Sequence, residues 1–250
     1  MVFGKFIRTL APIAALAFAA TLGACHGSVF IDGDEGKKLS ELDMSGAAPT
    51  KLVLAGPDTI KLSEGSKLEI TVEGDPKGAE QVRFAIKNGT LSVLRPNNWK
   101  DGQPVIVKVT MPAPTEVTVA GSGTIEAAAL GKDPKVTIAG SGDLKAGTIS
   151  GDSFNLTVAG SGNVSGAGSV KDLDMTIAGS GSADLSALRA DHAKVTVAGS
   201  GNASFSSDGS VEATIMGSGQ VTVRGRATCK VTSMGSGKLV CESGEAKKDG

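Results

Sequence analysis

Seven serines recur at nearly constant spacing, each held between two glycines: Ser122, Ser141, Ser161, Ser180, Ser200, Ser218 and Ser236. A serine becomes a nucleophile when a base stands beside it and a sharp turn presents it. No G-x-S-x-G elbow encloses any of the seven, and the chain has only two histidines, His26 and His192. A shared role in a bend accounts for all seven serines at once. Gly235-Ser236-Gly237-Lys238 has the glycine-lysine end of a phosphate loop. However, Thr232 stands where the first glycine is required, and Leu239 stands where a Ser or Thr is required.

The residue five before each Gly-Ser-Gly forms a second column: Glu116, Lys135, Asn155, Asp174, Lys194, Glu212 and Lys230. Neighbours one repeat apart alternate in sign at Glu116/Lys135 and again from Asp174 to Lys230. That pattern reads as a self-neutralising ladder on a solvated face, each pair contributing ~0–1 kcal/mol. The paired carboxylates of glycoside chemistry are not evident in this column. No His/Cys cluster has zinc spacing. The sequence therefore predicts no cofactor, no bound metal and no enzyme activity.

Charge and composition narrow the partners. Lys and Arg total 25 against 26 Asp and Glu, a net charge of −1, with both signs interspersed. Nucleic-acid binding needs a basic stripe, and none exists. Aromatic residues are 3% of the chain and tyrosine is absent, so no repeating platform for sugar stacking is present.

These residues are positioned by a repeat. The first glycines of the Gly-Ser-Gly units (Gly121, Gly140, Gly160, Gly179, Gly199, Gly217 and Gly235) are 18 to 20 residues apart. Such a period marks a solenoid whose coils stack on one another. Three positions before each unit stands a threonine, from Thr118 to Thr232, flanked by mostly apolar residues such as Val117 and Val119. Apolar and polar residues alternate with period two, as in a strand with one buried face. After the bend a second strand follows, with inward columns starting at Ile125 and Ala127. The expected fold is all-β: a parallel β-solenoid with two or three strands per coil. Hairpins of a sandwich or barrel would not demand one identical bend with the same phase in every repeat.

Near the N-terminus, Lys5 and Arg8 precede an apolar run over residues 10–22, which is too short to span a membrane. Leu22-Gly23-Ala24-Cys25 resembles the lipobox of bacterial lipoproteins. That resemblance implies cleavage before Cys25 and lipid attachment to it, with the membrane as partner through that lipid. His26 stands where an aspartate often signals inner-membrane retention, which favours the outer membrane. The expected layout is a signal peptide over 1–24, a Gly/Ser/Asp/Lys-rich tether over 25–48, an irregular β part over 49–115 and the repeat solenoid over 116–245. Within the irregular part, strands are expected over 51–54, 59–62, 67–72, 81–86, 90–94 and 105–111.

Three further residues stand out. Cys229 and Cys241 fall on inward phases of the last coil. A disulfide suits the oxidising envelope, and two buried free thiols are the alternative. Trp99, the sole tryptophan, lies in the loop 95–102. It is read as either a contact residue or a lid over the end of the solenoid. The charged C-terminal residues Lys247, Lys248 and Asp249 are expected to discourage edge pairing.

The lipobox, the run Val105-Ile106-Val107-Lys108-Val109-Thr110-Met111-Pro112 and the serial Val-Thr-Val-Ala-Gly-Ser-Gly coils together resemble the GIN-domain family of adhesin heads. The resemblance covers roughly residues 51–241. It implies a β-solenoid in the bacterial cell envelope and carries no catalytic residues. The function it implies is adhesion, structural display or binding of a glycan or protein ligand. A carbohydrate-active enzyme on a β-helix and a periplasmic assembly or signalling partner are the alternatives.

Overall fold

The computed structural model describes residues 36–96, 99 and 102–242. The signal segment, Cys25 with His26, and the last eight residues lie outside the described residues.

Among the described residues sixteen strands join one continuous sheet wound into stacked coils. In chain order the elements are β1 (Lys51–Ala55), β2 (Thr59–Glu64), β3 (Glu69–Glu73), α1 (Pro76–Gln81), β4 (Arg83–Lys87), β5 (Thr90–Leu94) and β6 (Ile106–Met111). They continue as β7 (Glu116–Gly121), β8 (Thr124–Ala129), β9 (Lys135–Gly140), β10 (Asp143–Gly160), β11 (Asn163–Gly179), β12 (Ser182–Gly199) and β13 (Asn202–Gly217). The last are β14 (Gln220–Arg224), β15 (Thr228–Gly235) and β16 (Lys238–Glu242). The fold is a parallel β-solenoid of about 7 turns.

The first wall stacks the segments that end in the Gly-Ser-Gly bend. Its register is unbroken: Thr118 pairs with Thr137, Thr137 with Thr157, Thr157 with Thr176, Thr176 with Thr196, Thr196 with Thr214 and Thr214 with Thr232. The second wall stacks the segments after the bend, Leu144 on Ile125 and Val164 on Leu144. Repeat lengths vary from 18 to 20 residues, and the difference is absorbed away from the first wall. The register shifts lie between Ala146 and Thr148, between Ser165 and Ala167, between Leu185 and Arg189, and between Ala190 and His192.

The inward columns form a single core. Ile125, Leu144, Ala183, Leu185, Phe205 and Val221 are all fully enclosed. Period-two alternation is what puts them there. Gly160 shows why the bend needs glycine: its φ is +128°, and an added Cβ would lie 2.2 Å from the Gly140 carbonyl oxygen of the preceding coil.

The N-terminal part departs from simple stacking. The coil made by β1 and β2 sits between the coil made by β5 and β6 and the coil made by β7 and β8. The chain therefore builds its second coil outward and then steps back over the first. β3 runs antiparallel to β6 and β4 antiparallel to β5, which closes this end. The expected strands are present within two residues, but a strand beginning at residue 81 is corrected: 76–81 is a helix. Asp75 caps it by accepting from the Gly78 N–H at 2.8 Å, and Pro76 opens it. A six-residue helix is too short to show a 3.6 period.

Candidate functional site: a polar groove and a buried ion pair

Two places bring chemically capable side chains together. The first is a groove of about 400 Å³ running along the bend that leads into the first wall. Its floor is Phe154, Leu173 and Ala193, all inward-facing and buried. Two outward columns form its rims, because residues on either side of an inward residue point outward. One rim is the column already legible in the sequence, where Asp174 pairs in register with Lys194 and Lys194 with Glu212. The other lies two residues earlier, where Asp172 pairs with His192 and His192 with Ser210. The His192 Nδ1 lies 2.9 Å from the Ser210 Oγ.

Sequence reasoning found the first rim and missed the second, since its residue types (Ser153, Asp172, His192, Ser210) share no obvious property. The signal was the phase: a column two residues from a charged column must share its face. His192 lies within β12 on the rim of the groove. The groove offers donors, acceptors and both charges, and no aromatic ring stands on its rims. It also holds Asp172 and Asp174, two acidic residues whose Cα atoms stand about 7 Å apart by strand geometry. Both are exposed.

The second place is the N-terminal end. Leu94 pairs with Ala55, so Arg95 stands over the corner at Gly56, where the Gly-Ser-Gly column would otherwise continue. Arg95 donates from Nε to Asp58 Oδ2 at 2.6 Å, from a second nitrogen to Asp58 Oδ1, and from Nη1 to the Gly78 carbonyl at 2.7 Å. Asp58 Oδ1 also accepts the Val105 N–H at 2.9 Å. The Trp99 ring lies against the guanidinium, 5.1 Å from its centroid, with the indole nitrogen enclosed and without a hydrogen-bond partner. Arg95 and Asp58 together tie the first corner to α1 and to the residue before β6.

Elsewhere charge ladders cross the coils. Asp152 bridges Lys171 at 2.6 Å and Lys132 at 3.5 Å, and Asp208 bridges Arg189 at 2.9 Å and Arg226 at 3.8 Å. The hydrogen bond and charge of Lys171 hold the Asp152 carboxyl below its usual range. The Arg226 backbone N–H does the same for Asp208, assisted by the Arg189 charge. The hydroxyl and N–H of Ser186, with the Ser204 hydroxyl, lower Asp184.

Cys229 and Cys241 meet in the last coil, with their sulfurs bonded and their Cα atoms 6.8 Å apart. Their inward phase does not bury them as earlier inward residues are buried. Cys229 is half-buried and Cys241 exposed, because among the described residues no further coil covers them. Among the described residues no group of three or more His, Cys, Asp or Glu is placed to hold a metal ion. No helix among them is long and apolar enough to cross a membrane.

Residues 48–227 match the family described as "Putative auto-transporter adhesin, head GIN domain". No curated protein matches the chain. Among solved structures, a "putative adhesin" from Bacteroides fragilis aligns with a TM-score of 0.71 at 18% identity, covering 78% of this chain and 92% of that one. A "putative lipid binding protein" from Parabacteroides distasonis aligns with a TM-score of 0.61 at 20% identity, covering 78% and 93%. A "putative adhesin" from Parabacteroides merdae aligns with a TM-score of 0.62 at 19% identity, covering 78% and 92%. At these identities the likeness concerns the fold.

Proposed function

The chain belongs to the family of adhesin-head GIN domains, and from that premise we propose that it is a non-enzymatic surface-binding protein of the bacterial envelope, lipid-anchored through Cys25. The polar groove is the single observation that carries the binding role. It is continuous over four coils and lined by His192, Lys194, Asp172, Asp174, Ser210 and Glu212. A ligand rich in hydroxyl and amide groups, such as a glycan or a polar protein segment, suits such a lining. The lipid-binding description of one structural relative is that protein's own; here the interior columns are filled by Ile, Leu, Val and Phe side chains.

Anchoring follows from the Leu-Gly-Ala-Cys motif, with the outer membrane favoured by His26. Acyl chains contribute ~0.8 kcal/mol per buried CH₂, so two or more hold a protein firmly. One observation favours a second reading: Asp172 and Asp174 share the groove, as a polysaccharide-cleaving enzyme requires. Glycoside cleavage needs one carboxyl kept protonated by its surroundings to act as the acid, and the exposure of both side chains favours binding over cleavage.

The test is attachment. A strain lacking the protein should adhere less to glycan- or matrix-coated surfaces. The full chain should restore adhesion and the Cys25→Ser chain should not. Unchanged attachment in the deletion strain would overturn the proposal.

A further inference from the structure

The two ends of the solenoid are built differently. Antiparallel strands β3 and β4 and helix α1 close the first end, and Lys37 bridges Phe84 of β4. At the other end β15 and β16 are the last strands on their walls, and among the described residues no strand pairs their outer edges. Val231 occupies an inward phase that is buried at Val117, Val136, Leu156, Met175 and Val195, yet it is 48% exposed. The chain beyond Glu242 reads Ser-Gly-Glu-Ala-Lys-Lys-Asp-Gly, and one alanine is its only apolar side chain.

The free edge of β16 is self-complementary. The Lys238 N–H donates to the Gly219 carbonyl, and the Glu242 carbonyl accepts from the Gly225 N–H. Residues 238, 240 and 242 therefore turn their backbone groups toward β14, and Leu239 and Cys241 turn theirs to the open side. When two such edges meet antiparallel about a two-fold axis at Val240, Leu239 faces the second copy's Cys241 and each such pair exchanges both backbone bonds. Lys238 then faces the second copy's Glu242 at a non-hydrogen-bonded site, where opposed side chains approach most closely.

We propose that the C-terminal end is a homodimerisation surface in which β16 pairs with β16 of a second copy in antiparallel register centred on Val240. The contact is isologous, so it closes at two copies and does not propagate. Charges near the C-terminus were expected to oppose edge pairing, but the charges on β16 itself are opposite in sign and symmetrically placed about Val240. Glu242 keeps its contact with Arg224 at 3.6 Å and gains a second cation.

Sedimentation of the purified chain over a concentration series is the test. The unmodified chain should form dimers. Lys238→Glu, which sets Glu against Glu242, should weaken them at least roughly tenfold. The double variant Lys238→Glu/Glu242→Lys should restore them. Val240→Cys should cross-link on oxidation, since opposed Cα atoms about 4.5 Å apart fall within disulfide reach. Thr222→Cys, one coil inward on β14, should not. A chain that stays monomeric at every concentration, or a Lys238→Glu variant that dimerises as readily as the unmodified chain, would overturn the proposal.

Discussion

Arg95 grips Asp58 through both carboxylate oxygens, and the two side chains are only 5% and 1% exposed. The pair sits where the first corner of the solenoid, α1 and the start of β6 converge. Removing one member leaves a buried charge alone, which typically costs about 3–5 kcal/mol. Arg95→Met is expected to lose that much in chemical denaturation. Arg95→Met/Asp58→Leu should recover only part of it, because Asp58 also holds the Val105 N–H. A single variant within about 1 kcal/mol of the parent would show that the corner does not depend on the pair.

Trp99 tests the cover over that pair. We expect Trp99→Ala to lower the melting temperature and leave surface attachment per folded molecule unchanged. Loss of attachment at full thermal stability would instead make Trp99 a contact residue.

The bend glycines allow little else. Gly160→Val places a side chain on a backbone with φ +128° and against the Gly140 carbonyl. The conformational strain alone costs about 1–3 kcal/mol, and the displaced backbone adds to it. Gly46→Ala, where an added Cβ meets nothing within 4 Å, should leave the unfolding curve unchanged. Equal curves for the two variants would contradict the bend geometry.

The repeat half was legible because one bend and one alternating strand recur in phase, so each coil repeats the evidence for its neighbours. Thr118 beside Thr137 followed directly from that phase. The N-terminal part was legible strand by strand but not in its connections. Nothing local in residues 51–64 says that this coil lies between two later ones, since that order is set by which edges remain open when β5 and β6 arrive. The Arg95–Asp58 pair was hidden for the same reason, as its members are 37 residues apart in sequence. Half the groove was visible through Asp174, Lys194 and Glu212. The rim of Asp172, His192 and Ser210 required the coil register.

In the oxidised chain Cys229 and Cys241 should resist alkylation until reduced. The loop they close spans 12 residues, so replacing both with serine should cost about 3 kcal/mol at most. The loss should appear as fraying of β15 and β16, read by hydrogen exchange. Two freely alkylated thiols in native material would refute the pairing.

Asp152, Asp184 and Asp208 all have carboxyl pKa values lowered in the fold. A lowered folded value means the stabilisation is complete above the unfolded value, about 3.9. It is lost as pH falls through the folded values. Lys171 is raised by the Asp152 hydrogen bond, so its contribution is complete below about 10.4 and is lost as pH rises through its higher folded value. Melting temperatures should therefore be flat near neutrality and fall below about pH 4. Asp184→Asn should flatten the acid limb, and a limb identical to the parent's would contradict that assignment.

The central claim is that the chain binds through its groove and does not turn its ligand over. Its most direct test presents the purified chain to an immobilised panel of glycans and matrix proteins, beside a folded His192→Ala/Lys194→Ala variant. The account predicts that the unmodified chain is retained by at least one ligand, that the ligand's mass is unchanged after incubation, and that the variant is retained at least about tenfold less, a difference of about 1.4 kcal/mol. Retention indifferent to the two substitutions, or cleavage of the ligand abolished by Asp172→Asn, would contradict it.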